Sequence, residues 1–323
     1  MSGALGRAWA RWVALTAAQE PAHGLAVVRI GVGGLIFIDR ARLSVDGLVG
    51  PLLAPAGAGG LGDPLGQPTP PVLYRLLPAD PAAALAVVEG AHALSLAAAA
   101  SLGLGLWTRR SAALLLVLLS QFAGALPPAD RGVDLLLRNV LAILALSGAG
   151  RAWALDARRA GPQLTPAWPR RLLLLQLGLV YLGAAAAKVA SPWTPAGGWA
   201  ALSFAARDPA YARLPAALVL DLHPLTQMMT ISTLIWEWGA LLWLAALWAR
   251  ATRTAPGRLR ALSNRLGMVG LYLWIGAVFH LGTHLLLRID VFPFVMLALY
   301  AAAAPPEAWA RGAAALRRRV TGR

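Results

Sequence analysis

Apolar residues run along this chain in long blocks, at about 24–39, 82–106, 111–127, 134–150, 171–190, 227–249, 266–288 and 289–304. The blocks are roughly 16–25 residues long, the range a helix needs to cross about 30 Å of hydrocarbon. They do not alternate apolar and polar positions as the strands of a membrane β-barrel do. The pattern predicts an all-α fold, a polytopic membrane helix bundle of about eight transmembrane helices. The chain then divides into a segment 1–23, a transmembrane domain 24–304 and a basic tail 305–323. In 1–23 the apolar residues are interrupted by Trp9, Arg11 and Trp12, which predicts an amphipathic helix on the membrane surface and not a signal peptide. Two long connections, 40–81 and 191–226, lack a sustained period. Within the second, Leu214–Leu220 reads as a re-entrant or interfacial helix. Pro293 falls in the first turn of the last block, where a missing N–H costs little.

Composition agrees: 58% of the 323 residues are hydrophobic and 13% are charged, about half the charged share of a soluble domain. The formal charge of +15 would suit nucleic acid, but its distribution suits a membrane. With the N-terminus inside, the cytoplasmic segments, counted through Arg171, hold nineteen arginines, and the opposite side holds seven: Arg40, Arg42, Arg75, Arg131, Arg207, Arg213 and Arg288. The positive-inside rule therefore predicts N-in and C-in, and no nucleic-acid partner. Trp107, Trp153, Trp168, Trp248 and Trp309 mark the inner interface, Trp193 and Trp199 the outer one. The chain has no cysteine, which excludes disulfide frameworks and thiol-driven redox chemistry.

Ionisable residues inside spans are costly and mark candidate sites. Here they are Arg29, Glu89, His92, Asp134, Arg138, Lys188, Glu237, His280 and His284. Most fall in the outer half of the bilayer; Glu237 and His92 lie near mid-depth, and Arg29 lies low. Glu89 and His92 share a face at i, i+3 and have Arg138 as a candidate partner; Glu237 is a candidate counter-ion for a cation such as Arg29. His280 and His284 share a face at i, i+4, but no third ligand lies near them in sequence, so hydrogen bonding is expected and a metal is not. Lys188 is the only lysine beside 28 arginines. Arginine holds its proton permanently, whereas a lysine dehydrated beside Ala184–Ala187 can release it. A neutral amine is a general base or a Schiff-base nucleophile; simple charge pairing is the alternative.

Five segments carry a family resemblance: LAVVRIGVGGLIFID (25–39), VDLLLRNVLAILALSGAGRAWALDA (133–157), LLLLQLGLVYLGAAAAKVASPW (172–193), TLIWEWGALLW (233–243) and FHLGTHLLLRIDVFPFVMLALY (279–300). In order and spacing the chain resembles the HTTM domain, the membrane domain of vitamin K-dependent γ-carboxylases and their bacterial relatives. In the carboxylases a lysine five residues before a tryptophan deprotonates vitamin K hydroquinone, which then reacts with O₂ to form the epoxide. Lys188 and Trp193 match that spacing, and His280-Leu281 matches the family's His-Leu. The resemblance carries the role of base to Lys188; as an enzyme the chain would use His280 and His284 as hydrogen-bond partners, Glu237 as an electrostatic partner and Arg138 as a second cation for the quinol anion, which makes Lys188, His280 and Glu237 the candidate catalytic residues and Arg138, His284 and Trp193 the candidate cofactor-binding residues. Two positions depart from the animal enzymes. Ala187 replaces a second lysine before the base, and the region of Asp134 lacks their Asn-His. These departures point away from glutamate carboxylation and leave quinol chemistry.

The expected function is thus oxidation, by O₂, of reduced vitamin K or menaquinol that enters from the membrane lipid. The expected place is the bacterial inner (plasma) membrane, as a multi-pass protein. The alternative is a non-catalytic factor that assists maturation or export of a secreted peptide, as the SdpB-like branch of the family does. The two diverge at Lys188, which arginine can replace only in the second.

Overall fold

The computed structural model describes residues 3–158 and 163–321. The first two residues of the amphipathic segment, residues 159–162 of the expected inner loop and the last two of the basic tail lie outside the described residues. The chain is mostly helical, and each of the eight expected blocks falls on a helix. Four helices are long and apolar enough to cross a membrane by length and composition: Pro81–Leu104, Trp168–Ala187, His223–Ala251 and Met268–Leu286. Only 22–39% of their most apolar windows is buried inside the protein. Leu242, Trp274, Ile235 and Leu285 all point outward from these helices. Such a surface is stable against hydrocarbon and unstable against water. One expected span is interrupted: 227–249 is built from His223–Trp238 and Ala240–Ala251, which meet at Gly239.

The chain forms two compact units, Met1–Arg171 with Ala304–Arg323, and Leu172–Ala303. The first unit begins with the helix Ala4–Ala17, in the segment read as amphipathic. A two-stranded antiparallel sheet follows, Gln19–Pro21 against Leu164–Pro166, with Glu20 opposite Thr165; it is a small exception to the all-α expectation. Helices His23–Val45, Pro81–Leu104, Thr108–Ala123 and Gly132–Leu146 then pack in succession. The first two approach closely because Gly33 faces Gly103. A Cβ on Gly33 would lie 2.5 Å from the Gly103 nitrogen and 2.8 Å from its Cα. Small residues at such crossings let helix backbones meet where lipid offers no hydrophobic drive.

Most of the charged groups buried in this unit are held by partners within the chain. Asp80 caps Pro81–Leu104, its carboxylate accepting the Ala83 N–H at 2.8 Å, with Pro81 in the first turn. At the other end of that helix the fully buried Arg29 donates to the carbonyls of Leu102 at 3.3 Å and Trp153 at 2.5 Å. Gly105 is required beside it, because its φ is +71° and a Cβ would collide with the guanidinium. Arg29 is thus held by carbonyls and does not use Glu237. Asp39, Arg40, Arg131 and Asp134 form a network, with Arg131 at 2.9 Å from both carboxylates. Glu20 and Arg170 form a two-bond pair at 2.7 Å, buried beside the short sheet. The connection 40–81, expected to be irregular, is tethered by Tyr74, whose hydroxyl donates to the Leu53 carbonyl at 2.7 Å. Burial pushes the Tyr74 phenol well above its usual range, so it remains a donor.

The second unit contains most of Trp168–Ala187, then His223–Trp238, Ala240–Ala251, Met268–Leu286 and Phe292–Tyr300. The short helix Ala201–Arg207 lies on His223–Trp238, fixed by the Leu202 N–H donating to the Thr230 hydroxyl at 3.2 Å. The apolar stretch expected near 214–220 forms the helix Ala216–Asp221. The Arg288 N–H donates to the Tyr211 carbonyl at 2.9 Å and ties the long connection to the turn before the last helix.

Two stability outcomes follow. Gly33→Leu forces the helix crossing apart and lowers stability by about 2 kcal/mol or more. Glu20→Gln strands a buried guanidinium and costs about 3 kcal/mol, while Glu20→Gln combined with Arg170→Met recovers most of that loss. Thermal unfolding in detergent reads both; an unchanged midpoint for Gly33→Leu, or no recovery in the double variant, contradicts these packing assignments.

Candidate functional site

The site is built at two helix ends. Trp168–Ala187 stops one residue before Lys188, whose N–H closes a tight last turn on the Ala185 carbonyl at 3.1 Å. Ser191–Trp193 then forms a single 3₁₀ turn with Pro192 in its first positions. That turn folds the chain back, so that the Lys188 amine lies 5.1 Å from the centre of the Trp193 ring. The five-residue spacing therefore places a cation over an aromatic face.

Lys188 Nζ donates to both carboxylate oxygens of Glu237, at 2.7 and 2.8 Å, and to the Ala184 carbonyl at 3.2 Å. Side-chain exposure is 19% for Lys188 and 6% for Glu237, so the carboxylate is almost wholly enclosed and the lysine side chain is partly exposed. Glu237 occupies the last turn of His223–Trp238, just before the interruption at Gly239.

Beside this pair lies an aromatic cluster. Trp236 stacks on Tyr272 (ring centres 5.2 Å, 20°), and Tyr272 stacks on Trp243 (5.2 Å, 16°). Tyr181 meets the edge of Trp236 at 4.4 Å. Its hydroxyl is 2.9 Å from His280 Nε2 and 2.5 Å from the Tyr300 hydroxyl, a buried chain of three exchangeable protons. Tyr181 and Lys188 are seven residues apart, on one face of the same stretch. Gly276, one turn before His280, makes room: a Cβ there would lie 2.2 Å from the Tyr300 hydroxyl and 2.6 Å from the Trp236 ring. Two polar atoms of the cluster, His280 Nδ1 and Tyr272 Oη, are buried without a hydrogen-bond partner. Unmatched buried polar atoms are expensive and characteristic of sites that receive a ligand or water.

Four of the six candidate residues lie in this part of the unit: Lys188, Glu237 and Trp193 in one cluster and His280 in the aromatic group. His284 lies one turn further along, its ring 4.8 Å from that of Phe294. No group of three metal-ligating side chains occurs among the described residues. Arg138 belongs to the first unit, where Asp130 holds its guanidinium with two bonds of 2.7 Å. It does not pair with Glu89 or His92; His92 Nε2 is 3.0 Å from the Ser44 hydroxyl. Tyr181, Tyr300, Trp236 and Tyr272 went unnoticed in the sequence. A usable signal was present, because three of only five tyrosines sit inside apolar runs and all three meet here.

Chemically, the pair offers a charged acid–base couple, and the cluster offers a short proton chain in apolar surroundings. The profile of the HTTM domain matches residues 67–307, three quarters of the chain and all of the second unit. No curated protein and no solved structure matches. The profile, the helical architecture and the membrane-compatible helices agree: this chain belongs to the HTTM domain family, a membrane family related to the vitamin K-dependent carboxylases.

Proposed function

We propose that this protein oxidises a membrane-borne hydroquinone of the vitamin K or menaquinol type with O₂, using Lys188 as the base. The observation that carries this reading is the two-bond contact of Lys188 with Glu237 beneath Trp193. As an ion pair the couple has no net charge. Once it has given up one proton it is a carboxylate beside a free amine, and the amine can take the phenolic proton of a quinol. Glu237 then pairs with the ammonium that forms, and the ammonium in turn faces the quinolate; the couple and the quinol together carry one negative charge before the transfer and after it.

The unmatched His280 Nδ1 and Tyr272 Oη suit the oxygens of a quinol. Tyr181 and Tyr300 hold the His280 ring in a fixed orientation. The bound quinol supplies the electrons: with one O₂ it gives the quinone epoxide and one water. Glutamate carboxylation is not part of the proposal. Ala187 stands where the animal enzymes have a second lysine, and Asp134 is engaged by Arg131 at a helix start.

We place the protein in the inner membrane of a bacterium as about eight spans with both ends inside. In its support, segments assigned to one side meet within the first unit. Glu20, Arg170 and the helix Pro306–Thr321 gather around the short sheet, while Asp39, Arg40 and Arg131 gather at the other side's assigned ends.

A second reading has its own observation. All three hydrogens of the ammonium are engaged, by Ala184 and by both oxygens of Glu237, as in a purely structural pair. On that reading the protein is a non-catalytic factor for a secreted peptide.

The test is purified protein in detergent or lipid with menaquinol or phylloquinol and O₂, assayed for epoxide. The expected outcome is epoxide from the native protein, a loss of about 10²-fold or more in Lys188→Ala, and no turnover in Lys188→Arg despite retained quinol binding. Glu237→Gln also loses most activity. Undiminished epoxide formation by Lys188→Arg, or none from the native protein with either quinol, rejects the catalytic reading and leaves the structural one.

A further inference from the structure

A second cavity lies wholly within the first unit, away from every residue discussed as catalytic. It is about 450 Å³ and sits where the start of Thr108–Ala123 faces the end of Gly132–Leu146 and the strand Leu164–Pro166. Three guanidinium groups line it: Arg109, Arg110 and Arg151. Arg109 donates to the carbonyls of Ala145 and Leu146 at 3.3 and 3.4 Å, and Arg151 to that of Leu164 at 2.7 Å. These bonds to neutral carbonyls orient the two side chains without cancelling their charge. Arg110 is exposed and makes no ion pair among the described residues.

The one carboxylate in the wall, Asp156, is already committed. It accepts the N–H groups of Trp107 and Thr108, each at 3.0 Å, and the Thr108 hydroxyl at 3.2 Å. With three guanidinium groups against this one carboxylate, the wall is net positive.

An independent observation points to a ligand. The Thr165 side chain is fully buried, lines the cavity, and its hydroxyl has no hydrogen-bond partner. Two glycines keep space beside the hydroxyls of the wall. A Cβ on Gly148 would lie 2.4 Å from Thr165 Oγ1, and one on Gly150 would lie 2.6 Å from Thr108 Oγ1. The rim carries Trp107, 64% exposed, and Trp168, residues of the kind that settle at the headgroup level of a bilayer. A cluster of cations, an unmatched donor and an aromatic rim together suit a phosphate attached to an acyl-chain anchor.

We propose that this cavity binds a phosphate group carried by an acidic phospholipid. Arg110 and Arg151 supply charge, Thr165 donates a hydrogen bond to a phosphate oxygen, and the tryptophans rest against the glycerol region. The same phosphate chemistry could come from a soluble anion, and the experiment separates the two sources.

Full-length protein in detergent is titrated with phosphatidylglycerol, phosphatidylcholine or inorganic phosphate, and the first bound molecule is followed by native mass spectrometry. The native protein is expected to retain phosphatidylglycerol in preference to phosphatidylcholine, with inorganic phosphate at the same concentration not displacing it. Arg110→Gln weakens that first binding about fivefold, and Arg110→Gln with Thr165→Val about tenfold or more. Neither residue holds the fold by a bond described here, so both variants remain folded. Arg253→Gln, which removes an arginine elsewhere, leaves the affinity unchanged. Equal affinity in Arg110→Gln and Arg253→Gln overturns the site. Displacement by inorganic phosphate, or equal retention of phosphatidylcholine, overturns the acidic lipid as its source.

Discussion

A chain immersed in hydrocarbon must satisfy each charge and each helix end from its own resources, because lipid supplies no hydrogen bonds. That constraint organises this protein. Arg29 is tolerated with no exposed surface because two free carbonyls, at a helix end and in the following loop, receive its protons. Arg170 answers Glu20, Arg138 answers Asp130, and Lys188 answers Glu237. Each pair joins segments that local helix formation alone would leave apart. In water such pairs contribute little; here the loss of one partner leaves a charge that nothing else can solvate.

The same constraint explains what could be read in the sequence. Apolar blocks reveal helices, because a backbone in lipid has few other ways to satisfy itself, and the helices at Pro81–Leu104 and Met268–Leu286 lie close to where hydropathy put them. The break at Gly239 was not legible, since hydrophobicity continues through Ala240 to Ala249 and a single glycine gives no sign of a kink. Lys188 and Glu237 were each conspicuous as rare charges, but their partnership depends on how two helix ends meet, which no periodicity encodes. Glu237 was a candidate counter-ion for Arg29, a group held by two carbonyls with the Asp156 carboxylate acting on its charge. Tyr181 and Tyr300 escaped notice because a tyrosine in an apolar run resembles an ordinary core aromatic. Their hydroxyl chain to His280 appears only in three dimensions. Arg138 was sought against Glu89 and His92, while its partner lay in the preceding loop at Asp130.

The lysine itself differs from the isolated amine that scarcity suggested. It is not alone among alanines; it is clasped by a carboxylate and covered by an indole ring. The two groups therefore titrate as a couple, since moving a proton on either member changes the charge both must bear. Burial of the Glu237 side chain, 6% exposed, keeps the polarity around that couple low and makes its charge state consequential.

An ammonium group has three hydrogens, and at Lys188 every one already points at an oxygen. No newcomer can be greeted by this group while the present arrangement lasts; a seat has to be vacated first. The contact with Ala184, at 3.2 Å, is the longest of the three and the only one to a neutral acceptor, so it is the one surrendered most cheaply. Giving it up would leave the end of the helix Trp168–Ala187 in place, because the Lys188 backbone N–H, and not its ammonium, closes the last turn on Ala185.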